Sequence, residues 1–351
     1  MPALIDCDVH DTVPGIDALL PYLSPHWAEY CRQSAFRGPT DTAYPPNAPT
    51  TTAPLWRGAS PAAATSVDAV RQQLLQPLGL ELAILTCVYA VESIHNPDSA
   101  AAMAAAVNDW QRAEWLDPEP RLRASIVVPS QQPEMAAQEI ERVAGDERFV
   151  QVLLPVRSLL PYGNRHYHPI YEAAARHDLA VGLHFGGAPG NPPTGAGWPS
   201  TYLEEYAGMA QVFQTQLLSL IVEGVFDRYP SLRVVCIEGG FTWVPSLLWR
   251  IDKEWKGLRR DVPWVRREPS EYVREHVRFT TQPLDAPPGD TGLAELVADT
   301  DLASLLLFAT DYPHWHFDAL AEAVPHTLPP ALLAENARAF YARLGARGGE
   351  R

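Results

Sequence analysis

The chain reads as a (β/α)8 barrel, an α/β fold, with a long insertion after its first strand. Two observations predict this. Short β-branched, apolar runs recur eight times along the 351 residues, and most are separated by stretches of helical composition or period. Strands alternating with helices pair in parallel through right-handed crossovers, and eight such units close most economically into a barrel. A doubly wound open sheet is the runner-up, and it has no need of eight strands.

The runs fall at residues 3–10, 82–88, 122–129, 149–155, 179–185, 232–238, 277–282 and 305–311. Helical stretches stand at 67–75, at 99–116, which is rich in Ala, and at 133–144, 169–176, 202–226 and 245–258. Punctuation agrees: Asn96-Pro97-Asp98-Ser99 opens the Ala-rich helix, Leu116-Asp117-Pro118 closes it, and Pro133 opens the next. The exception is 35–66, rich in Pro, Thr and Ala, which reads as a loop insertion within a single domain spanning 1–351. A lid or dimer arm and a plain surface loop are both open readings of it.

Composition bounds the function. Hydrophobic residues make up 46% and charged ones 20%, a balance that supports a sizeable core in a soluble chain. No apolar run approaches the ~18 residues that span a bilayer, and the first residues lack the basic-then-apolar build of a secretion signal, so a cytoplasmic location is expected. A formal net charge of −15 without a basic patch argues against nucleic acid and leaves a small molecule as the expected partner. Cys7, Cys31, Cys87 and Cys236 form no CxxC pair and read as buried free thiols.

The chemistry collects at strand ends. In the opening Ile5-Asp6-Cys7-Asp8-Val9-His10, a side-chain period of two places Asp6, Asp8 and His10 on one face and Ile5, Cys7 and Val9 on the other. Barrel sites lie at the C-terminal ends of the strands, so Asp8 and His10 fall at the mouth. Strand five ends at His184 before Gly186-Gly187, strand six at Glu238 before Gly239-Gly240, and strand eight at Asp311 before Tyr312-Pro313. Each alone is explained by a core histidine or a cap, and the Gly-Gly pairs by a plain turn or by room for substrate. Together, at one end of one barrel, they make a metal site. Carboxylate oxygens with imidazole nitrogens suit one divalent cation, zinc first, with manganese or iron as the alternatives. Its task would be to lower the pKa of a bound water toward ~7 or to polarise a substrate oxygen.

Secondary candidates surround that set. His314 and Trp315 follow strand eight, and His314 is the better placed for substrate contact. Trp198, in a Gly/Pro-rich loop with Pro192-Pro193, could wall an apolar pocket, and Arg165, His166 and His168 after strand four are further pocket candidates. Trp243, Trp249 and Trp255, at six-residue spacing, read as helix-to-barrel or subunit packing.

The segments IDCDVH, GLHFGG, RYPSLRVVCIEGGFTWVPSLLWR and FATDYPHWHFD together resemble the amidohydrolase superfamily. The nearest group is the branch that includes aminocarboxymuconate-semialdehyde, γ-resorcylate and 5-carboxyvanillate decarboxylases. The resemblance implies a mononuclear centre in a homodimeric enzyme. Asp8 and His10 match the first-strand pair, His184 the strand-five histidine, and Asp311 the strand-eight aspartate that touches the metal and handles protons. Asp6 would stand behind the ligands. Glu238 departs from the pattern, because well-studied decarboxylases of the branch carry a histidine there.

With Asp8, Glu238 and Asp311 all ionised, three negative charges face one dication and leave the shell near −1, which disfavours a carboxylate substrate unless Arg157 or Arg165 reaches in or Glu238 holds a proton, as one of several close carboxylates can. Hydrolysis is therefore put ahead. Metal-activated water attacks a carbonyl or imine carbon of a small cyclic or aromatic substrate, Asp311 takes the water proton, and Glu238 orients the water or protonates the leaving group. The alternative on the same ligands is non-oxidative decarboxylation of an aromatic or muconate-type acid, with Asp311 delivering a proton to carbon. A non-catalytic barrel that only binds is the second alternative.

Overall fold

The computed structural model describes residues 3–39, 44–45, 48–49, 51–187, 195–286 and 291–345. Eight strands run in the sequence order of the chain: β1 (Ile5–Val9), β2 (Leu82–Leu85), β3 (Leu122–Val127), β4 (Phe149–Pro155), β5 (Ala180–His184), β6 (Val234–Ile237), β7 (Val277–Thr280) and β8 (Leu306–Leu307). Every neighbouring pair is parallel. A parallel bridge between Val9 and Tyr312 joins first to last, with Cys7 N donating to Phe308 O at 2.9 Å and His10 N to Tyr312 O at 2.8 Å. The fold is a (β/α)8 TIM barrel.

Helices cover the outside: Pro97–Trp110, Pro133–Val143, His168–Arg176, Tyr202–Val222, Val244–Leu258 and Thr291–Asp299 among them. The expected run 202–226 is broken, because Gly224 sits at φ +73° and starts a separate turn of helix, Val225–Arg228. Inside the barrel a smaller apolar cluster gathers Ile5, Ile84, Val150, Ala180, Val235 and Leu307, and residues 337–344 close its lower end. Tyr341 in that plug donates to Gln151 Oε1 at 2.9 Å. The larger cluster lies between sheet and helices.

Two expectations about strands change. The first strand does not alternate cleanly: its register shifts between Asp6 and Val9, so Cys7 packs with the interior cluster while Val9 packs with the outer one. The eighth run shortens to two residues, and Glu238 and Asp311 both stand just beyond their strands at φ +60° and +54°. A left-handed backbone at a non-glycine residue ends the extended run and costs roughly 1–3 kcal/mol, which marks both positions as places where side-chain aim outweighs backbone comfort.

Part of the 35–66 segment is described, and it lies against the end of β8. Ala53 N donates to Pro313 O at 2.8 Å, Thr52 bridges to His314, and the buried Trp56 packs on Tyr312 at 4.7 Å between ring centroids. Residues 188–194, including Pro192-Pro193, are outside the described residues. All four cysteines are buried and free. Trp243 packs edge-on to Phe279 at 5.6 Å, whereas Trp249 is exposed. Among the described residues no helix is long and apolar enough to cross a membrane.

Candidate functional site

β1 and β5 supply a pair of buried atoms that lack partners. Asp8 Oδ1 accepts from Thr86 Oγ1 at 2.5 Å, but its Oδ2 is buried with no hydrogen bond. His184 donates Nδ1–H to the carbonyl of Phe185 at 2.8 Å, which leaves Nε2 as the atom facing the interior, also without a hydrogen-bond partner. That Nε2 lies 3.7 Å from Asp8 Oδ1 and 3.7 Å from Glu238 Oε2. Burial disfavours a charge on His184, yet Asp8, with Glu238 behind it, outweighs this and lifts its pKa to about 9. The space at Nε2 favours positive charge, from a proton or from a cation.

β8 supplies the most heavily bonded carboxylate. Asp311 Oδ1 meets His10 Nε2 at 3.0 Å and His314 Nδ1 at 2.9 Å, and its Oδ2 meets His316 Nε2 at 2.6 Å. Burial opposes its ionisation, but these imidazoles, His314 first, hold Asp311 well below the usual carboxylate range. In return, and against burial, Asp311 and then Glu238 lift His314 to about 9; His316 rises for the same reason. His10 goes the other way, lowered by burial and by His314, and stays neutral.

Glu238 is fixed on two sides. Its backbone N–H donates to Thr280 Oγ1 at 3.0 Å, and its Oε1 accepts from Tyr206 OH at 2.7 Å, so Oε2 is the oxygen turned to His184. Burial first, and Asp311 second, push the Glu238 pKa up to about 7. Burial and Glu238 push the Tyr206 hydroxyl far above its ordinary value, so it remains a neutral donor, and it also touches His316 Nε2 at 3.1 Å. Asp6 stands behind: it accepts from Asp8 N at 3.2 Å and from Thr310 N and Oγ1 at 3.0 and 2.6 Å, tying β1 to the turn that carries Asp311.

The donor atoms of Asp8, His10 and His184 lie within 4.8 Å of one another, as do those of His10, Glu238, Asp311 and His314. Two orphaned buried atoms on neighbouring ligand-type side chains, Asp8 Oδ2 and His184 Nε2, a tautomer fixed from behind, and a mixed oxygen and nitrogen set all fit one divalent cation. Beside this cluster, on the β2 to β5 side, opens a cleft of about 400 Å³ of empty space. His184 forms part of its wall, and Tyr89, Val128, Leu153, Pro155 and Phe185 supply much of the rest.

The sequence pattern of the amidohydrolase family matches residues 5–343. The chain belongs to the amidohydrolase family. It is an enzyme, and its relatives bear on the chemistry. Over 281 residues it is 28% identical to a γ-resorcylate decarboxylase of Polaromonas sp. strain JS666, covering 73% of this chain and 80% of that one. The 5-carboxyvanillate decarboxylase of Sphingomonas paucimobilis superposes with a TM-score of 0.71 at 20% identity, covering 97% and 99% of the two chains. A dihydroxybenzoic acid decarboxylase of Polaromonas sp. JS666, solved with manganese and the inhibitor 2-nitroresorcinol, superposes at 0.66 with 21% identity, covering 99% and 98%.

In this amidohydrolase Asp8, His10, His184, Glu238, Asp311 and His314 come together. Trp315 stands at the edge of the set, 6.0 Å from the Tyr206 ring. Trp198 is 45% exposed and packs on Tyr44 at 4.7 Å, so it is a rim residue rather than a closed wall. Arg165, His166 and His168 are not brought in. The first two are exposed on the turn Arg165–Tyr167, and His168 opens the outer helix and packs on Tyr229 at 5.4 Å. The Gly-Gly pairs answer to protein neighbours: a Cβ at Gly187 would meet Arg157 O at 2.7 Å, and one at Gly239 the Phe213 ring at 2.8 Å.

Sequence reasoning missed Thr86, Tyr206, Thr280 and Thr310, and it gave His316 no role. His316 was within reach, two residues beyond His314 in the same segment. Tyr206 lies in the first turns of a long amphipathic helix, where nothing in the local pattern separates it from Tyr202.

Proposed function

We propose that this amidohydrolase is a metal-dependent, non-oxidative decarboxylase of a hydroxylated aromatic acid. The observation that carries the reading is the ring of three imidazoles around Asp311. It revises the charge count that favoured hydrolysis. That count set three carboxylates against the cation alone, but the imidazoles of His10, His314 and His316 stand 2.6–3.0 Å from Asp311, and a proton on any of them offsets its charge. The shell therefore tolerates an incoming carboxylate, and the named relatives act on such acids.

Asp8, His10, His184 and Asp311 would hold the cation, and its chemistry when bound is to anchor the acid and draw electron density from it. The solved relative with manganese makes that ion the first choice here, ahead of the zinc expected from ligand types. This chain's own residues manage the proton. His314 carries it at neutral pH and passes it through Asp311 Oδ1, 2.9 Å away, to the ring carbon that bears the carboxylate. The carbon–carbon bond then breaks, its electron pair restores the ring, and CO2 leaves; the carboxylate and one proton become the arene and CO2. Tyr206 holds the Glu238 carboxyl so that its other oxygen faces the reacting groups.

A substrate screen with mass detection tests this: hydroxybenzoates against lactones, cyclic amides and imines, with manganese or zinc supplied. Loss of CO2 from a hydroxybenzoate is the expected result. Turnover of a lactone or amide with no acid decarboxylated would return the reaction to hydrolysis.

A further inference from the structure

The turn that follows β8 carries Asp311 and two of the imidazoles bonded to it, His314 and His316. Its backbone starts under strain, with Asp311 at φ +54°, and a non-glycine residue keeps that conformation only where the surrounding structure over-determines it. Part of the restraint is local: Asp311 N donates to Asp8 O at 3.1 Å, and Tyr312 N to Thr310 Oγ1 at 3.2 Å. More of it comes from residues 52–64, inside the insertion that follows β1.

Along the backbone, Thr52 pairs antiparallel with His314, and Ala53 N donates to Pro313 O at 2.8 Å. Beside them the buried Trp56 ring meets Tyr312 at 4.7 Å and Phe317 at 5.8 Å, edge-on to both, so one indole spans the two ends of the turn. The Tyr312 hydroxyl accepts from Ala64 N at 2.9 Å and donates to Gln73 Oε1 at 2.7 Å. Thr12 N, two residues beyond His10, donates to Ala64 O at 2.7 Å and ties the same segment to the end of β1. Residues 52–57 are closed on themselves by Trp56 N to Ala53 O at 3.0 Å and Arg57 Nε to Thr52 O at 2.9 Å. Such a piece is built to stay in place, because swinging it aside would break main-chain bonds next to His314 and put the rings of Trp56 and Tyr312 into water.

Resting on the decarboxylase reading above for the reaction it serves, we propose that residues 52–64 are a fixed clamp on the β8 turn, and that Trp56 is the positioning residue that keeps His314 and His316 on Asp311. Trp56 acts through Tyr312 and Phe317, the residues that flank the two imidazoles.

The test uses the full-length, metal-loaded enzyme. Ala53→Pro suits the backbone, since Ala53 has φ −58°, but it deletes the N–H that meets Pro313 O and crowds the turn there. Trp56→Leu removes the bridging ring, and Trp56→Phe keeps an aromatic in its place. Ile140→Val, in the outer helix Pro133–Val143, is the control for packing lost far from the mouth. For each variant kcat and KM for a hydroxybenzoate are measured, together with hydrogen–deuterium exchange across residues 308–317.

Ala53→Pro and Trp56→Leu should lower kcat about 10–100-fold with KM little changed, the size expected when reacting groups are misaimed by a change away from the chemistry. Exchange across 308–317 should quicken in both while β3 and β4 stay protected. The solvent deuterium isotope effect on kcat should grow in the same two, because the misaimed step is a proton transfer, whereas mere loss of folded enzyme would leave it unmoved. Trp56→Phe should recover most of the rate, and Ile140→Val should keep it. Tyr312→Phe, which deletes two hydrogen bonds and keeps the ring, replaces Trp56→Leu should that variant fail to fold. A raised KM with kcat preserved would make the segment a gate on admission, and quickened exchange with both constants preserved would make it a strap without a part in the chemistry; either overturns the proposal, as does unchanged exchange. Should a lactone or cyclic amide be turned over and no acid lose CO2, the reaction assignment fails on its own, and the same comparison on that substrate decides the clamp.

Discussion

The two halves of the barrel mouth are built to opposite rules. On the side of β1, β6 and β8, buried ionisable groups crowd together, and Asp311 alone takes three imidazoles. On the side of β2 to β5 the cleft wall is apolar apart from His184 and Glu92. The difference separates two tasks that a metal-assisted reaction needs. The polar half gathers the groups that could hold a cation and fix protonation states; the apolar half offers a wall for the substrate's ring. His184 belongs to both, since its ring lines the cleft while Nε2 faces Asp8.

Changes in the polar half should therefore strike chemistry, and changes in the apolar half should strike binding. The largest effect is expected from His184→Ala, which removes the ring shared by both halves: metal content per chain should fall to a small fraction and activity with it, while the circular dichroism spectrum stays native. Next comes Asp311→Asn, which should lower kcat by about 10²–10⁴-fold because the proton path to carbon is cut. A fall in KM alone, with kcat preserved, would place Asp311 outside the chemistry.

Tyr206→Phe tests the support beneath Glu238. Removing the 2.7 Å hydrogen bond should cost about 10–100-fold in kcat with KM little changed, the size seen when groups behind a metal site are lost. A shift of the acidic limb of the pH–rate profile should accompany it, and an unaltered profile would reduce Tyr206 to packing.

Proton and cation compete at His184, so pH provides a graded test. Its pKa rises from 6.5 to about 9, and filling the site must displace that proton. Apparent metal affinity should climb about tenfold per pH unit from pH 6.5 toward 9. In ion-free protein the sign for stability is opposite. A raised histidine pKa stabilises the fold fully below 6.5 and loses that contribution as pH rises through about 9, so the melting temperature should fall across this window and recover when metal is added. Glu238, raised from 4.5 to about 7, has the same sign in a lower window. The smallest effect belongs to the apolar half: Val128→Ala should raise KM a few-fold, in line with about 1 kcal/mol for trimming a pocket wall, and leave kcat nearly unchanged.

The same division governs what could be read from the sequence. The barrel was legible because its strands are short apolar runs at regular intervals, and the metal-type residues because each ends such a run. Asp8, His10, His184, Glu238 and Asp311 announce themselves by type and position. Other parts were not legible. The register shift in β1 and the left-handed turns at Glu238 and Asp311 are set by tertiary contacts, among them the bonds from Asp6 to Thr310, and local pattern does not encode them. Tyr206 reaches Glu238 from another element, so 32 positions of sequence hide the pair. Arg165 and His168 stood as further pocket candidates behind His314, but the chain turns outward after β4 and carries them to the outer helix. The charge count was incomplete for a related reason: it weighed the carboxylates without the imidazoles that the fold brings to Asp311.

The most direct measurement is to incubate the manganese-loaded enzyme with a ring-carboxylated hydroxybenzoate in D2O and to analyse gas and ring product together. Equal amounts of CO2 and of arene carrying one deuterium at the vacated carbon are expected, with both lost in Asp311→Asn. Recovery of unreacted acid under conditions where a lactone or cyclic amide is hydrolysed would contradict decarboxylation as the reaction of this site.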